Sequence, residues 1–203
     1  MPSEPAYVTA LKALSKSTSM PSIETLRETE REFYGESDRA CGILLGEWVG
    51  WALERAIRSI LRADLSNNAA KRLFEFEGPL GTLSSKIDLG FALSIYGRQT
   101  NHDLGLIRLM RNEFAHCRLH LRFQMPEVTA VCSHLQLPEW EHSASAFAFR
   151  SLPGMAEALE SERWWGDKKH PKSRFVISCH TIAEGLFQFA RSDRRPLQTS
   201  GLP

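Results

Sequence analysis

Apolar residues recur every three or four positions through most of the chain, and few segments alternate at period two. That pattern predicts helices and little sheet. Residues 5–16 read as a short helix with Tyr7, Val8, Leu11 and Leu14 on one side, ended by the polar stretch Ser15 to Pro21. Ser22 opens a second helix carrying Ile23, Leu26 and Phe33, stopped at Gly35. The longest helix is expected from Asp38 to Ala63, capped by Ser37 or Asp38. Cys41, Leu44, Leu45, Trp48, Trp51, Ala52, Ala56, Ile57, Ile60 and Leu61 give it an apolar arc wide enough to be touched from several directions. Glu54 and Arg58, four apart, pair on its wet side. Ser66-Asn67-Asn68 ends this helix, and a short one follows from Ala69 to Phe76.

Gly78, Pro79 and Gly81 punctuate a turn. Thr82, Ser84 and Ser85 offer caps to a helix running to about Tyr96, with Gly97 at its C-terminal stop. The next helix is capped by Thr100 or Asn101, has Asp103 against its positive end, and runs to about Cys117. Another spans Val128 to Leu135 after Pro126. Pro138 and Pro153 bracket an irregular stretch, Met155 to Arg163 is a short helix, and Trp164 to Arg174 (WWGDKKHPKSR) is a loop. A final helix runs from Arg174 to Arg191. The expected architecture is all-α: a single-domain bundle of about seven or eight helices over residues 37–191, with an N-terminal helical extension (1–36) and a disordered tail (192–203). The long helix and the helix capped by Thr100 or Asn101 are expected to pack together at its centre.

Composition narrows the function classes. With 203 residues there is enough chain for one real core, and 42% hydrophobic with 24% charged residues is ordinary for a soluble globular protein. A net charge of +1 supplies no strong field toward nucleic acid or anionic lipid, so any such contact needs a local patch. Cys41, Cys117, Cys132 and Cys179 are far apart, without a CxxC pair, and three sit in apolar helical patterns; buried free thiols in a reducing cytoplasm are expected. The N-terminus lacks a signal-peptide pattern, and no run nears the ~20 apolar residues that span a bilayer. No metal site is expected, His116-Cys117-His120 being the nearest approach, and no cofactor, since no phosphate-binding glycine fingerprint appears.

The segment LIRLMRNEFAHCRLHLRF (Leu106–Phe123) carries the candidate chemistry. At ~100° per residue, Leu104, Ile107, Met110, Phe114 and Cys117 share one face, and Arg108, Asn112 and His116 the opposite one. Arg111 sits at the border, with its stem on apolar surface and its fork free to bond. Metal-independent RNA cleavage needs a proton taken from a 2′-hydroxyl, charge neutralised at phosphorus and a proton given to the leaving oxygen. His116 can move protons, Arg111 can hold a phosphate bidentately and Asn112 can orient either. A two-fold dimer with this helix at its axis would double the set around one cleft. The alternative is structural: Arg111 pairs with a carboxylate on a neighbouring helix, and His116 caps carbonyls at the helix end. Arg118 and Arg122, alternating with apolar residues, form with Arg108 a basic rim for RNA or simply a solvated face. Trp164 and Trp165 either stack bases or plug the core. Trp48 and Trp51 read as core or dimer anchors.

ESDRACGILLGEWVGWALERAIRSIL, FEGPLGTLSSKIDLGFALSIYG and HDLGLIRLMRNEFAHCRLHLRFQMPEVTAVCSHLQLP resemble, in order from about Glu36 to Pro138, the mannitol operon repressor family. SRFVISCHTIAEGLFQFA resembles that family's last helix. The resemblance implies an all-α fold and a regulatory role. RNEFAH also resembles the signature of HEPN domains, helical bundles found in toxin and defence ribonucleases; this implies catalytic roles for Arg111, Asn112 and His116. No helix-turn-helix is evident, so direct DNA binding is not expected, and repression would act through a protein partner. The two functions carried forward are a cytoplasmic regulator acting through dimerisation and protein contacts, and a metal-independent ribonuclease.

Overall fold

A computed structural model of the protein describes Ala6 and residues 22–34, 36–61, 65–136 and 169–192. The expected helix within 5–16, the Met155–Arg163 helix, Trp164, Trp165 and the 193–203 tail lie outside these residues, apart from Ala6, which is helical. Among the described residues there are seven helices and no strand: α1 Ile23–Tyr34, α2 Asp38–Ile60, α3 Asn67–Phe74, α4 Leu83–Ala92, α5 Arg98–His116, α6 Pro126–Ser133 and α7 Pro171–Arg191. The all-α expectation holds. The chain divides into two compact units, Met1–Glu32 and Phe33–Pro203. In the first, Ser22 Oγ accepts the Thr25 N–H at 3.1 Å and starts α1.

In the second unit, α2 packs most extensively on α7 and next on α5. The expected α2–α5 pairing is present, but the helix buried around most of its girth is α7, at 172–176, at 178–183 and again at Leu186 and Phe187. Two aromatic clusters set the packing. Phe114 of α5, Phe123 and Phe175 of α7 stack in a buried row, with centroids 5.1 and 5.4 Å apart. Trp48 and Trp51 close on Phe187 at 5.5 and 5.2 Å, and Phe33 meets Trp48 edge-on at 5.7 Å. Both Trp residues are half-buried and make these aromatic contacts within one chain. Each fully buried Phe contributes roughly 1.5–3 kcal/mol by leaving water.

Helix ends differ from expectation where a cap serves the following element. Ser66, read as ending α2, accepts the Ala69 N–H at 3.2 Å and starts α3. Gly97, read as the stop of α4, is the N-cap of α5, which begins three residues earlier than expected. α4 ends at Ala92, and Ser94 takes a left-handed conformation with φ 55°. The Ile95 N–H then reaches Gly90 O at 3.0 Å and the Ser94 N–H reaches Phe91 O at 2.9 Å, a Schellman closure without glycine. α7 starts at Pro171, so Lys172, Ser173 and Arg174 are helical and buried rather than part of a loop. The missed signal is Pro at the first helical position. No described helix is long and apolar enough to cross a membrane.

Candidate functional site

α2, α4 and α5, with the turn after α3, enclose a cleft of about 620 Å³. Its geometry begins with glycines. Gly42 and Gly46, one turn apart on α2, face α5: a Cβ on Gly42 would meet the Phe114 ring, and one on Gly46 would lie 2.7 Å from Cβ and Cγ of Arg111. Only hydrogen at these positions lets the two backbones come this close. Gly50, a turn further on, stands opposite Leu83 of α4. The spacing Gly42-x-x-x-Gly46-x-x-x-Gly50 is the sequence signal for this surface, and amphipathic pattern reading passes over it because glycine registers as neither apolar nor polar.

The turn between α3 and α4 forms the lip. Gly78 sits against the carbonyls of Arg72 and Leu73 and Gly81 against those of Glu75 and Phe76, leaving no room for side chains. The turn is closed by Leu80 N–H to Leu73 O at 2.8 Å. It holds Phe76 out at the cleft edge, 89% exposed. Thr82 then caps α4, its Oγ1 accepting the Ser85 N–H at 3.1 Å, so the positive end of α4 also borders the cleft.

Charge along the walls is mostly paired. Glu54 accepts from Arg58 Nε at 2.9 Å and from Lys86 Nζ at 2.6 Å. The Arg58 guanidinium in turn lies 4.0 Å from the centre of the Phe74 ring. The expected Glu54–Arg58 pair is thus present, half-buried and extended by Lys86. Arg111 donates from Nε to Glu47 Oε1 at 2.6 Å, and from Nη2 to the same oxygen. Its Nη1 donates to Asn112 Oδ1 at 2.9 Å. Arg108 lines the same cleft with no hydrogen bond or ion pair among the described residues.

Arg108, Arg111 and Asn112 line the cleft together, whereas His116, Arg118 and Arg122 are not among its lining residues. His116 is the last residue of α5, exposed, and not part of the cleft wall. Arg118 and Arg122 are exposed on the loop after α5, whose Leu121 and Phe123 point inward. The carbonyls at the end of α5 are capped not by His116 but by Arg39 of α2. Its Nη1 donates to Phe114 O at 2.6 Å and its Nη2 to Cys117 O at 3.0 Å and to Leu119 O. Sequence reading missed Arg39, since the two ends of this contact are more than seventy residues apart.

Asp103 corrects a second expectation. It lies more than a turn inside α5, too deep to serve the helix end, and is fully buried. Its carboxylate accepts the Gln136 N–H at 2.9 and 3.1 Å and lies 3.3 Å from Ser178 Oγ of α7 and 3.1 Å from His102 Nδ1. Arg174 of α7 likewise donates to Cys132 O at 2.8 Å and to Leu135 O, closing the end of α6. Cys41, Cys132 and Cys179 are buried and free, and Cys117 is free and half-buried. Burial pushes the Cys41 and Cys132 thiols up to about 12, against an ordinary 9.0, with Lys172 and Arg174 respectively opposing the rise.

No family model and no curated protein matches the chain. Among solved structures, a chain in the X-ray structure of the MtlR-HPr complex from Escherichia coli is similar: 21% identity, TM-score 0.53, over 79% of this chain and 99% of that one. The fold is accordingly MtlR-like.

Proposed function

We propose that this protein is a regulator of the MtlR type that works by binding another protein. The observation that supports this most is the fold likeness, which spans 99% of a chain solved in an MtlR-HPr complex. The cleft supports it from the other side. Glu47 occupies two of the guanidinium nitrogens of Arg111, and the only imidazole of the RNEFAH segment stands outside the cleft wall. The Glu47 pairing of Arg111 favours a structural role for that arginine over a part in a catalytic set. Regulation through a bound protein also fits the absence of any large charge excess for DNA, and would operate in the cytoplasm, with the chain as a homodimer. Calorimetric titration with purified Escherichia coli HPr is the test. Saturable one-site binding in the micromolar range, about −8 kcal/mol, is expected; no heat and no co-elution would remove the support for this reading. Light scattering reads the dimer directly.

A second reading rests on the Arg111–Asn112 hydrogen bond at the cleft edge, which presents two of the three HEPN-type residues as a unit. In this reading the protein is a metal-independent RNA endonuclease whose imidazole, His116 of a second copy, reaches the cleft in a dimer. Incubation with RNA in EDTA tests it. Cleavage lost in both Arg111→Ala and His116→Ala supports the nuclease; intact RNA with the wild-type chain rejects it.

A further inference from the structure

We propose that the cleft between α2, α4 and α5 binds a small phosphate ester carrying a flat ring. Its phosphate sits between Arg108, Arg111 and the amino end of α4, and its ring lies against Phe76.

Four features of the cleft point to this chemistry. Its 620 Å³ is the size of a pocket for one small organic molecule. Its charged lining is Lys86, Arg108 and Arg111 against Glu47 and Glu54. Glu54 is shared between Lys86 and Arg58, and Glu47 is matched by Arg111, so the unmatched charge is positive and Arg108 carries it. Leu83 and Ser84, the first residues of α4, line the same space, and a helix's first N–H groups have no acceptor within it, which makes them donors for an oxyanion. Phe76 is almost fully exposed at the cleft edge, in a turn whose Gly78 and Gly81 leave no room for side chains. A phenyl ring exposed at a cleft mouth offers a face for stacking rather than a core contact.

Glu47 acts as a competing internal anion. It is more than half exposed, and its pairing holds the Arg111 fork away from an incoming phosphate. A phosphate that displaces Glu47 gains a bidentate partner, and the released carboxylate returns to water. Affinity is therefore set by the competition between ligand and Glu47 for one guanidinium. A polynucleotide fits the site less well. It needs a basic track that continues past one phosphate, whereas Arg118 and Arg122 lie outside the cleft wall. The site stands apart from the protein-binding reading and does not require it.

Isothermal titration of the full chain at low salt, with AMP and with inorganic phosphate as probes, tests the proposal. AMP is expected to bind about tenfold more tightly than phosphate, the ring supplying the difference. Arg108→Gln weakens both probes by about tenfold, and Phe76→Ala reduces AMP to the level of phosphate. Glu47→Gln tightens both, a gain that loss of folding cannot mimic. Arg118→Gln is the control outside the cleft. Absence of AMP binding to the wild-type chain overturns the proposal, as does an affinity indifferent to Arg108→Gln and Glu47→Gln together. Equal affinity for AMP and phosphate overturns the ring contact. A short single-stranded RNA that displaces AMP and binds more tightly assigns the cleft to RNA instead, and also overturns it.

Discussion

Ser94 and the buried thiols each hold a local free-energy difference that a single substitution or a pH step can read. A side chain in the left-handed region costs about 1–2 kcal/mol, and Ser94, at φ 55°, bears that cost where most helices place glycine. Ser94→Gly is expected to raise stability by about 1 kcal/mol, a rise of roughly 2–4 °C in Tm, measured by thermal unfolding. Cys41 and Cys132 respond to alkali. Their folded-state values are raised from 9.0 to about 12, so between those limits the unfolded chain loses protons that the folded chain keeps. Stability is then full below pH 9 and falls as pH rises toward 12. Urea midpoints at pH 8 and pH 10.5 check the sign; an equal or higher midpoint at the upper value contradicts it. Tyr96 adds to the same trend: burial raises its hydroxyl, which donates to Ile87 O at 2.6 Å. The thiols were legible in the sequence as buried and free, because cysteine in an apolar helical pattern behaves as a small hydrophobe. Ser94 was not, since nothing in Leu-Ser-Ile-Tyr marks a left-handed residue.

Among the elements, α2 and α5 fit together through what α2 lacks. Gly42 and Gly46 admit the Phe114 ring and the Arg111 stem, and in doing so set the cleft beside them. Gly42→Ala pushes a methyl group into a ring that is itself buried against Phe123. The expected loss is about 1–3 kcal/mol, with a shifted aromatic near-ultraviolet circular dichroism signal as the structural readout. An unchanged denaturation midpoint would mean the helices can separate without cost. Helix existence was readable from periodicity for each described element. Helix ends were less so, because Ser66 and Gly97 serve the element that follows, and a cap residue reads alike from either side. The final helix was shortened for a related reason. Lys172 and Arg174 look solvent-seeking, yet Lys172 donates to Glu36 O at 3.1 Å and Arg174 binds carbonyls at the end of α6.

For the folded unit as a whole, the polar groups that matter most join distant stretches of chain. Asp103 links α5 to α7 and to the segment after α6, while Asp38 accepts the Phe123 N–H at 2.9 Å and lies 3.5 Å from Lys172 Nζ. Asp103→Ala leaves the buried Ser178 hydroxyl and the part-buried Gln136 N–H without this acceptor. We expect a loss of about 3 kcal/mol in urea unfolding, and a smaller loss for Asp103→Asn, which keeps one acceptor oxygen. If the alanine variant is as stable as wild type, the link contributes nothing. Arg39 works the same way, joining the start of α2 to the end of α5. Such contacts leave no trace in any window of the sequence, since each partner alone resembles an ordinary surface charge.

What the sequence determined by itself is the helical nature of the chain, the amphipathic faces, and the gathering of Arg108, Arg111 and Asn112 on one helix. Periodicity is a local property, and one rod carries all three side chains. Only the tertiary structure decided that these three border a cleft, that Glu47 holds Arg111, and that His116 stands outside. Those outcomes depend on how closely α2 approaches α5, which is set by glycines more than sixty residues away from the arginine they admit.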